Sequence, residues 1–305
     1  VKELQFLSNK KVDRKRWDAC INQSFNSLPY GLSWYLDAVT ENWDGLVWGD
    51  YQAVMPLIWL RKFGVKCLYQ PYYCQQTGVF SLQPLNHEIL QNFLAYCKAN
   101  FLYVNINLNN GNHFTEKGFY LKHKKNLMLT LSHSYETICK RYSENHRRNI
   151  SKAVKSHLAF EFSADEKKFV NFYLTNINHQ KETFKSQHEK IFRKLTGTLL
   201  KSRIGKIAVV MNTESEWLAA SLLIHHRHRL INIINTSSGL GKSKGASHFL
   251  FNSIIQQNSG KDLVLDFEGS SIPSIARFYE GFGANEEPFY NFRYMAGGPL
   301  SQLFK

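Results

Sequence analysis

The sequence predicts an α/β (α+β) protein of two tandem domains, each a mixed, mostly antiparallel sheet flanked by helices. Three observations carry that expectation. At 305 residues the chain is long enough for each half to bury its own core. Each half also reads in the same order: strand, two helices, a three-strand meander, helix, strand, a short helical or irregular segment, and strand. Finally, a Gly-Phe pair precedes the last strand of each copy, Gly118-Phe119 and Gly281-Phe282. The boundary is expected at Leu131, giving domains 1–131 and 132–305.

The first half opens with a strand over Lys2 to Leu7, then a helix capped by Asp13 and running to about Asn22. A second helix is expected from Ser33, with Trp34, Leu36, Ala38 and Val39 as its apolar positions. Strand-like runs at Gly45–Trp48, Tyr51–Leu60 and Val65–Gln70 are separated by Gly49-Asp50 and by Lys62 to Gly64, the pattern of an antiparallel meander. Tyr69 to Phe80, YQPYYCQQTGVF, interrupts it with Pro71 and Gly78. Tyr72, Tyr73, Gln75 and Gln76 either line a substrate groove or belong to a bulged edge strand with surface glutamines. A helix over Leu85–Lys98, a strand over Leu102–Leu108 and a last strand from Phe119 to Leu131 complete the copy.

The second half starts at Ser132 or Ser134 with a helix bearing RYSENHRRNISKAVKSH. Lys140, Arg141, Arg147, Arg148, Lys152 and Lys155 stand there against Glu144 alone. Helical spacing puts Arg148, Lys152 and Lys155 along one face, with Ile150, Ala153 and Val154 nearer the other. Such a face suits phosphate contacts, bidentate ones from Arg above all, and is equally a solvated basic surface. A strand at Leu158–Ser163, helices over Asp165–Gln180 and Ser186–Ser202, and strands at Ile204–Met211, Trp217–His225 and Leu230–Thr236 follow. The loop SSGLGKSKGAS then opens a helix; Lys242, Lys244 and the N–H groups near Gly245 make an anion site in that setting, or a plain turn. His225-His226-Arg227-His228 sits in a hairpin turn with no acidic or Cys partner nearby in sequence. It reads as surface, and no metal site is expected.

Asp262 to Arg293, DLVLDFEGSSIPSIARFYEGFGANEEPFYNFR, reads as strand, turn, helix and strand, with Asp266 and Glu268 at the first corner. Acids at the C-terminal end of a buried strand stand where open sheets place ligands. Alternatively, the two carboxylates only anchor the turn, and Ser270 or Ser271 caps the helix.

Composition narrows the partners. A formal net charge of +14 attracts polyanions at long range. The five cysteines lack paired CxxC spacing, and no start resembling a signal peptide precedes them, so a reduced cytoplasm fits better than a disulfide framework. The longest apolar run, around Leu218 to Ile224, is strand-sized, so no membrane span is expected.

The element order with its Gly-rich loop resembles the GNAT acyltransferase fold. The tandem arrangement, the basic helix YSENHRRNISKA and DFEGSSIPSIARFYEGFGA before an aromatic strand resemble the FemAB group, the tandem-GNAT aminoacyltransferases of peptidoglycan bridge formation. That resemblance implies transfer of an acyl group from an activated carrier to an amine, with no tightly bound cofactor. The carrier is aminoacyl-tRNA and the acceptor a cell-wall precursor peptide in the FemAB group; the carrier is acyl-CoA in the broader GNAT family. Such a transfer requires the amine to lose a proton and the oxyanion and leaving group to be stabilised, which assigns Glu268 or Asp266 to holding or deprotonating the amine and Tyr279 to the leaving group or oxyanion. Carrier phosphate falls to Lys242, Lys244 and Gly245, extended by Arg147 and Arg148. Two features depart from these families: Tyr279 stands where FemAB-like enzymes commonly have Lys, and Lys242-Ser243-Lys244-Gly245-Ala246-Ser247 only partly matches the pyrophosphate loop of acyl-CoA enzymes. The competing classes are a non-catalytic basic RNA-binding or tRNA-binding protein on the same scaffold, and a scaffold whose site has decayed.

Overall fold

The computed structural model describes residues 3–113, 120–177, 186–269 and 272–297. The chain divides into two compact units: unit 1 takes the residues up to Lys124 and then Pro288 onward, and unit 2 is Lys125–Glu287.

Unit 1 begins with β1 (Leu4–Leu7) and α1 (Arg14–Gln23), whose cap Asp13 accepts from the Arg16 amide at 3.1 Å. α2 (Ser33–Val39) follows, then the antiparallel meander β2 (Trp43–Trp48), β3 (Ala53–Lys62) and β4 (Val65–Tyr69). A two-residue strand, β5 (Phe80–Ser81), pairs with β3. α3 (His87–Asn100), capped by Asn86, buries Leu90, Phe93, Leu94 and Cys97, the i, i+3, i+4, i+7 stripe of a helix lying on a sheet. β6 (Tyr103–Leu108) then runs parallel to β4, and β7 (Tyr120–Thr130) leads into unit 2.

Unit 2 carries α4 (Tyr135–Cys139) and α5 (Glu144–Lys155), capped by Ser134 and Ser143, so the expected single basic helix is two. After them come β8 (Ala159–Ser163), α6 (Glu166–Asn176) and α7 (Ser186–Lys201), then the meander β9 (Gly205–Met211), β10 (Trp217–His226) and β11 (Arg229–Ser237). The unit continues with α8 (Gly239–Ser243), α9 (Ala246–Asn258), β12 (Val264–Asp266) and α10 (Pro273–Glu280); β13 (Asn285–Met295) leads back into unit 1. The anticipated Gly118-Phe119 pair and the caps Ser270 and Ser271 lie outside the described residues.

The two sheets follow one plan. Unit 1 orders its strands β1-β2-β3-β4-β6-β13 and unit 2 orders them β8-β9-β10-β11-β12-β7. Neighbours are antiparallel except for one parallel pair in each, β4 with β6 and β11 with β12. The last strand of each sheet comes from the other half of the sequence. The expected boundary at Leu131 therefore moves to Lys124, and the chain from Pro288 returns to unit 1. Burial explains the exchange. Leu127, Leu129 and Leu131 alternate into the unit 2 core, whereas Phe292 belongs to the core of unit 1.

Candidate active site

β11 and β12 are paired for only three residues, ending at Ile231 opposite Asp266. Beyond that point β11 stays with β10 as far as Ser237. The chain after β12 stays with β7 instead, through Phe267 N–H to Leu127 O at 2.9 Å and Gly269 N–H to Asn126 Oδ1 at 3.0 Å. A Cβ on Gly269 would stand 2.8 Å from the Asn126 Cα and the Leu127 nitrogen, so only glycine lets the chain hug β7 there. The strands consequently part at Ile231 and Asp266, and the acidic corner lies at the parting.

The structure separates the two carboxylates that the sequence left as alternatives. Asp266 is fully buried and held by Arg229 Nη1 at 3.1 Å, and its Oδ1 accepts from the Glu268 amide at 2.9 Å. Arg229 also grips Glu287 with both nitrogens, at 3.0 and 2.9 Å. Burial pulls the Arg229 pKa down, but Glu287 and Asp266 outweigh it and the guanidinium stays charged. Burial pushes the Asp266 carboxyl up against the pull of Arg229 and the Glu268 amide. Asp266 thus fastens the corner. Glu268 is half-buried, with its backbone at φ 51°, a left-handed geometry that costs a non-glycine residue on the order of 1 kcal/mol.

Tyr279, from α10, is buried with its ring stacked on Phe267 at 4.5 Å and edge-on to Phe251 of α9 at 5.7 Å. Its hydroxyl oxygen accepts from Asn235 Nδ2 at 2.8 Å and from Asn232 Nδ2 at a longer 3.4 Å. Burial raises the phenol to about 12, with the two amides pulling the other way and the Glu268 carboxylate close enough to add to the rise. The corner therefore gathers Glu268, Tyr279, Asn232 and Asn235, with Asp266 as its anchor. Asn232, Asn235 and Arg229 were missed in the sequence. The only hint was the two asparagines interrupting the apolar run of β11.

The Gly-Lys loop does not expose its amides as expected. It is wound into α8: Ser238 Oγ accepts from Gly241 N–H, and the N–H groups of Lys242, Lys244 and Gly245 bond to the carbonyls of Ser238, Leu240 and Lys242. The charge remains available, since Lys242 is exposed and Lys244 half-buried. Gly245 is left-handed at φ 74°, and a Cβ there would meet the Asn149 carbonyl of α5 at 2.6 Å. Gly245 supplies no side-chain cap to α9. Loop and basic helix are thus side by side. Arg147 and Arg148 are exposed; their guanidinium groups donate to Lys140 O at 2.9 Å and Asn145 Oδ1 at 3.2 Å. Val154, expected on the inner face, is 56% exposed, and Ala153 and Ile150 make the inward contact instead. α9 links both groups, with its N-terminus at the loop and Phe251 against Tyr279, roughly 8 Å along its axis.

Two other expectations change. His226, read as surface, is buried, and its pKa falls to about 4 chiefly through desolvation. In unit 1, Tyr72 is exposed, but Gln76 is wholly buried and lines neither a groove nor a surface. Its Oε1 accepts from Asn110 N–H at 3.0 Å, and its Nε2 donates to Gln75 Oε1 at 2.7 Å.

The sequence matches no protein-family model and no curated protein. Among solved structures, FemX superposes with a TM-score of 0.69 over 99% of both chains, at 13% identity. The chain has a FemX-type tandem GNAT fold. Two further solved structures superpose less closely. The C-terminal domain of an Agrobacterium fabrum protein named as a lysylphosphatidylglycerol synthetase gives 0.60 at 11% identity, covering 97% of this chain and 96% of its own. L-PGS from Bacillus licheniformis gives 0.55 at 13% identity, over 95% and 94%. At such identities the likeness is one of fold, and the chemistry rests on the site itself.

Proposed function

We propose that the chain is an N-acyltransferase that moves an aminoacyl or acyl group from an activated, phosphate-bearing carrier to an amine. The observation that carries this reading is the phenol of Tyr279 set beside Glu268 where β11 and β12 part. The amine nitrogen attacks the acyl carbonyl carbon, the new C–N bond replaces the ester or thioester bond, and the proton lost by the amine ends on the leaving atom. Glu268 receives that proton, Tyr279 gives its own to the leaving atom or holds the oxyanion, and Glu268 restores the phenol. Asp266 holds the corner through Arg229. Lys242, Lys244 and the first turn of α9 receive carrier phosphate, and Arg147 and Arg148 extend that surface.

Aminoacyl-tRNA is the favoured carrier. The exposed cations of α5, from Arg147 to Lys155, run for roughly 12 Å, more than a single pyrophosphate needs and suited to a nucleic-acid backbone. The acceptor implied by the FemAB resemblance is a cell-wall precursor peptide. The competing reading, RNA binding without catalysis, rests on those same cations and predicts salt-sensitive tRNA binding with no acyl product.

Thermal-shift comparison of tRNA, CoA esters and muropeptide precursors fixes the carrier class, and transfer is then followed with labelled acyl groups. Tyr279→Phe and Glu268→Gln should each lower kcat by about 100-fold. Unchanged transfer in both variants sinks the assignment.

A further inference from the structure

A strict strand alternation would send Asn232 and Asn235, three residues apart, to opposite faces of β11. Both nevertheless reach one hydroxyl. The pairing of β10 with β11 jumps from Leu222–Ile234 to Leu223–Asn232, which leaves Ile233 as an extra residue, a β-bulge. That single insertion turns an odd spacing into an even one and brings both amides to the Tyr279 oxygen. Ser221 of β10 donates from Oγ to Asn232 Oδ1 at 2.7 Å, which leaves the NH2 end of Asn232 facing the phenol. Ser221 and Asn232 are both buried.

A phenol oxygen has two lone pairs and one proton. With both lone pairs engaged by amide donors, only the proton is left to give. Among the described residues no acceptor takes it. We infer that Asn235 and Asn232, the latter oriented by Ser221, are positioning residues that make Tyr279 an obligate hydrogen-bond donor toward the space where β11 and β12 part. Phe267 and Phe251 hold the ring, and the bulge at Ile233 sets the two amides. The catalytic meaning of this arrangement rests on the transferase reading; the hydrogen-bond arrangement itself does not. A phenol locked as a donor suits an oxyanion or a departing oxygen or sulfur, and is wrongly polarised to act as a base.

The test places 3,5-difluorotyrosine at position 279, whose phenol is more acidic than that of tyrosine, and follows its ionisation by 19F NMR. Asn235→Leu and Asn232→Leu remove one donor each without opening a large void, and Asn235→Asp replaces a donor by an acceptor. Each should raise the apparent pKa of the fluorophenol by about one unit, a tenfold change, with Asn235→Asp largest because its carboxylate claims the proton. Ser221→Ala frees the Asn232 amide to turn and should give a smaller rise. Far-ultraviolet circular dichroism checks that each variant is folded. In the transfer assay the Asn235 variants should lower kcat and leave KM alone. An unchanged 19F titration in folded Asn235→Leu and Asn232→Leu overturns the inference, whatever the activity. Shifted titrations with no transfer from any carrier support it, and count against the transferase reading alone.

Discussion

The two units solve one geometric problem in opposite ways. Each sheet has a parallel pair three residues long, Cys67–Tyr69 against Tyr103–Asn105 in unit 1 and Arg229–Ile231 against Val264–Asp266 in unit 2, and beyond it the strands must part or be held together. In unit 1 the chain after Tyr69 folds into the opening and fills it with amides. Thr77 bridges Leu108, Gln70 Oε1 takes the Asn107 amide at 2.8 Å, and Asn107 Nδ2 donates to Gln75 O at 2.8 Å. Asn26 Nδ2 donates to Asn109 Oδ1 and Val79 O at 2.8 Å, and Asn112 closes both ends of Val79. In unit 2 the two strands follow different neighbours, and a phenol and a carboxylate stand between them. The same frame thus gives a satisfied lattice in one copy and a phenol and a carboxylate at the parting in the other. The sealed copy explains why the Tyr69–Phe80 segment looked chemically loaded in sequence: its polar residues are spent on the backbone.

Breaking the anchor of the open copy should have the largest effect. Arg229→Met leaves Asp266 and Glu287 without their counter-charge and should cost about 3–5 kcal/mol in urea unfolding, most of it recovered when Asp266→Leu and Glu287→Leu are added.

Acid should weaken unit 2 next. His226 and His248 have pKa values lowered from 6.5 to about 4, first by desolvation, and His146 is lowered for the same reason. Each is neutral when folded and binds its proton more readily unfolded. Stability is therefore full above about pH 6.5 and drains as the pH falls toward 4, by about 3 kcal/mol for His226 alone. Hydrogen exchange at pH 7 and pH 5 should show the loss in unit 2, and His248→Phe should flatten part of the pH dependence.

The sealed copy is expected to be less sensitive to any single change. Asn109→Ala removes the donor to Thr77 O and Val79 O and should cost about 1–3 kcal/mol, leaving the Tyr279 titration untouched. A shifted titration would show that the amide lattice does more than close its own sheet. Smallest of all, Arg148→Ala or Lys152→Ala should reduce the salt slope of tRNA binding by about 0.7–0.9 each and weaken all tRNA sequences alike. An unaltered slope removes α5 from the carrier surface.

The order of elements, the mixed character of both sheets and the helix starts at Asp13, Ser134 and Asp165 were legible from residue order, because caps, turns and periodicity act over a few neighbours. So was the acidic corner as a place, since acids ending an apolar run are a local pattern. The exchange of final strands was not legible: Leu127 and Phe292 fit any buried face, and which sheet takes them depends on cores assembled from distant segments. Nor was the division of labour at the corner. Asp266 becomes an anchor because Arg229, 37 residues away, reaches it. The partners of Tyr279 depend on one extra residue in β11, and a bulge exists only by reference to the strand beside it. Local chemistry set the elements and their order; pairing between distant strands set which polar groups meet.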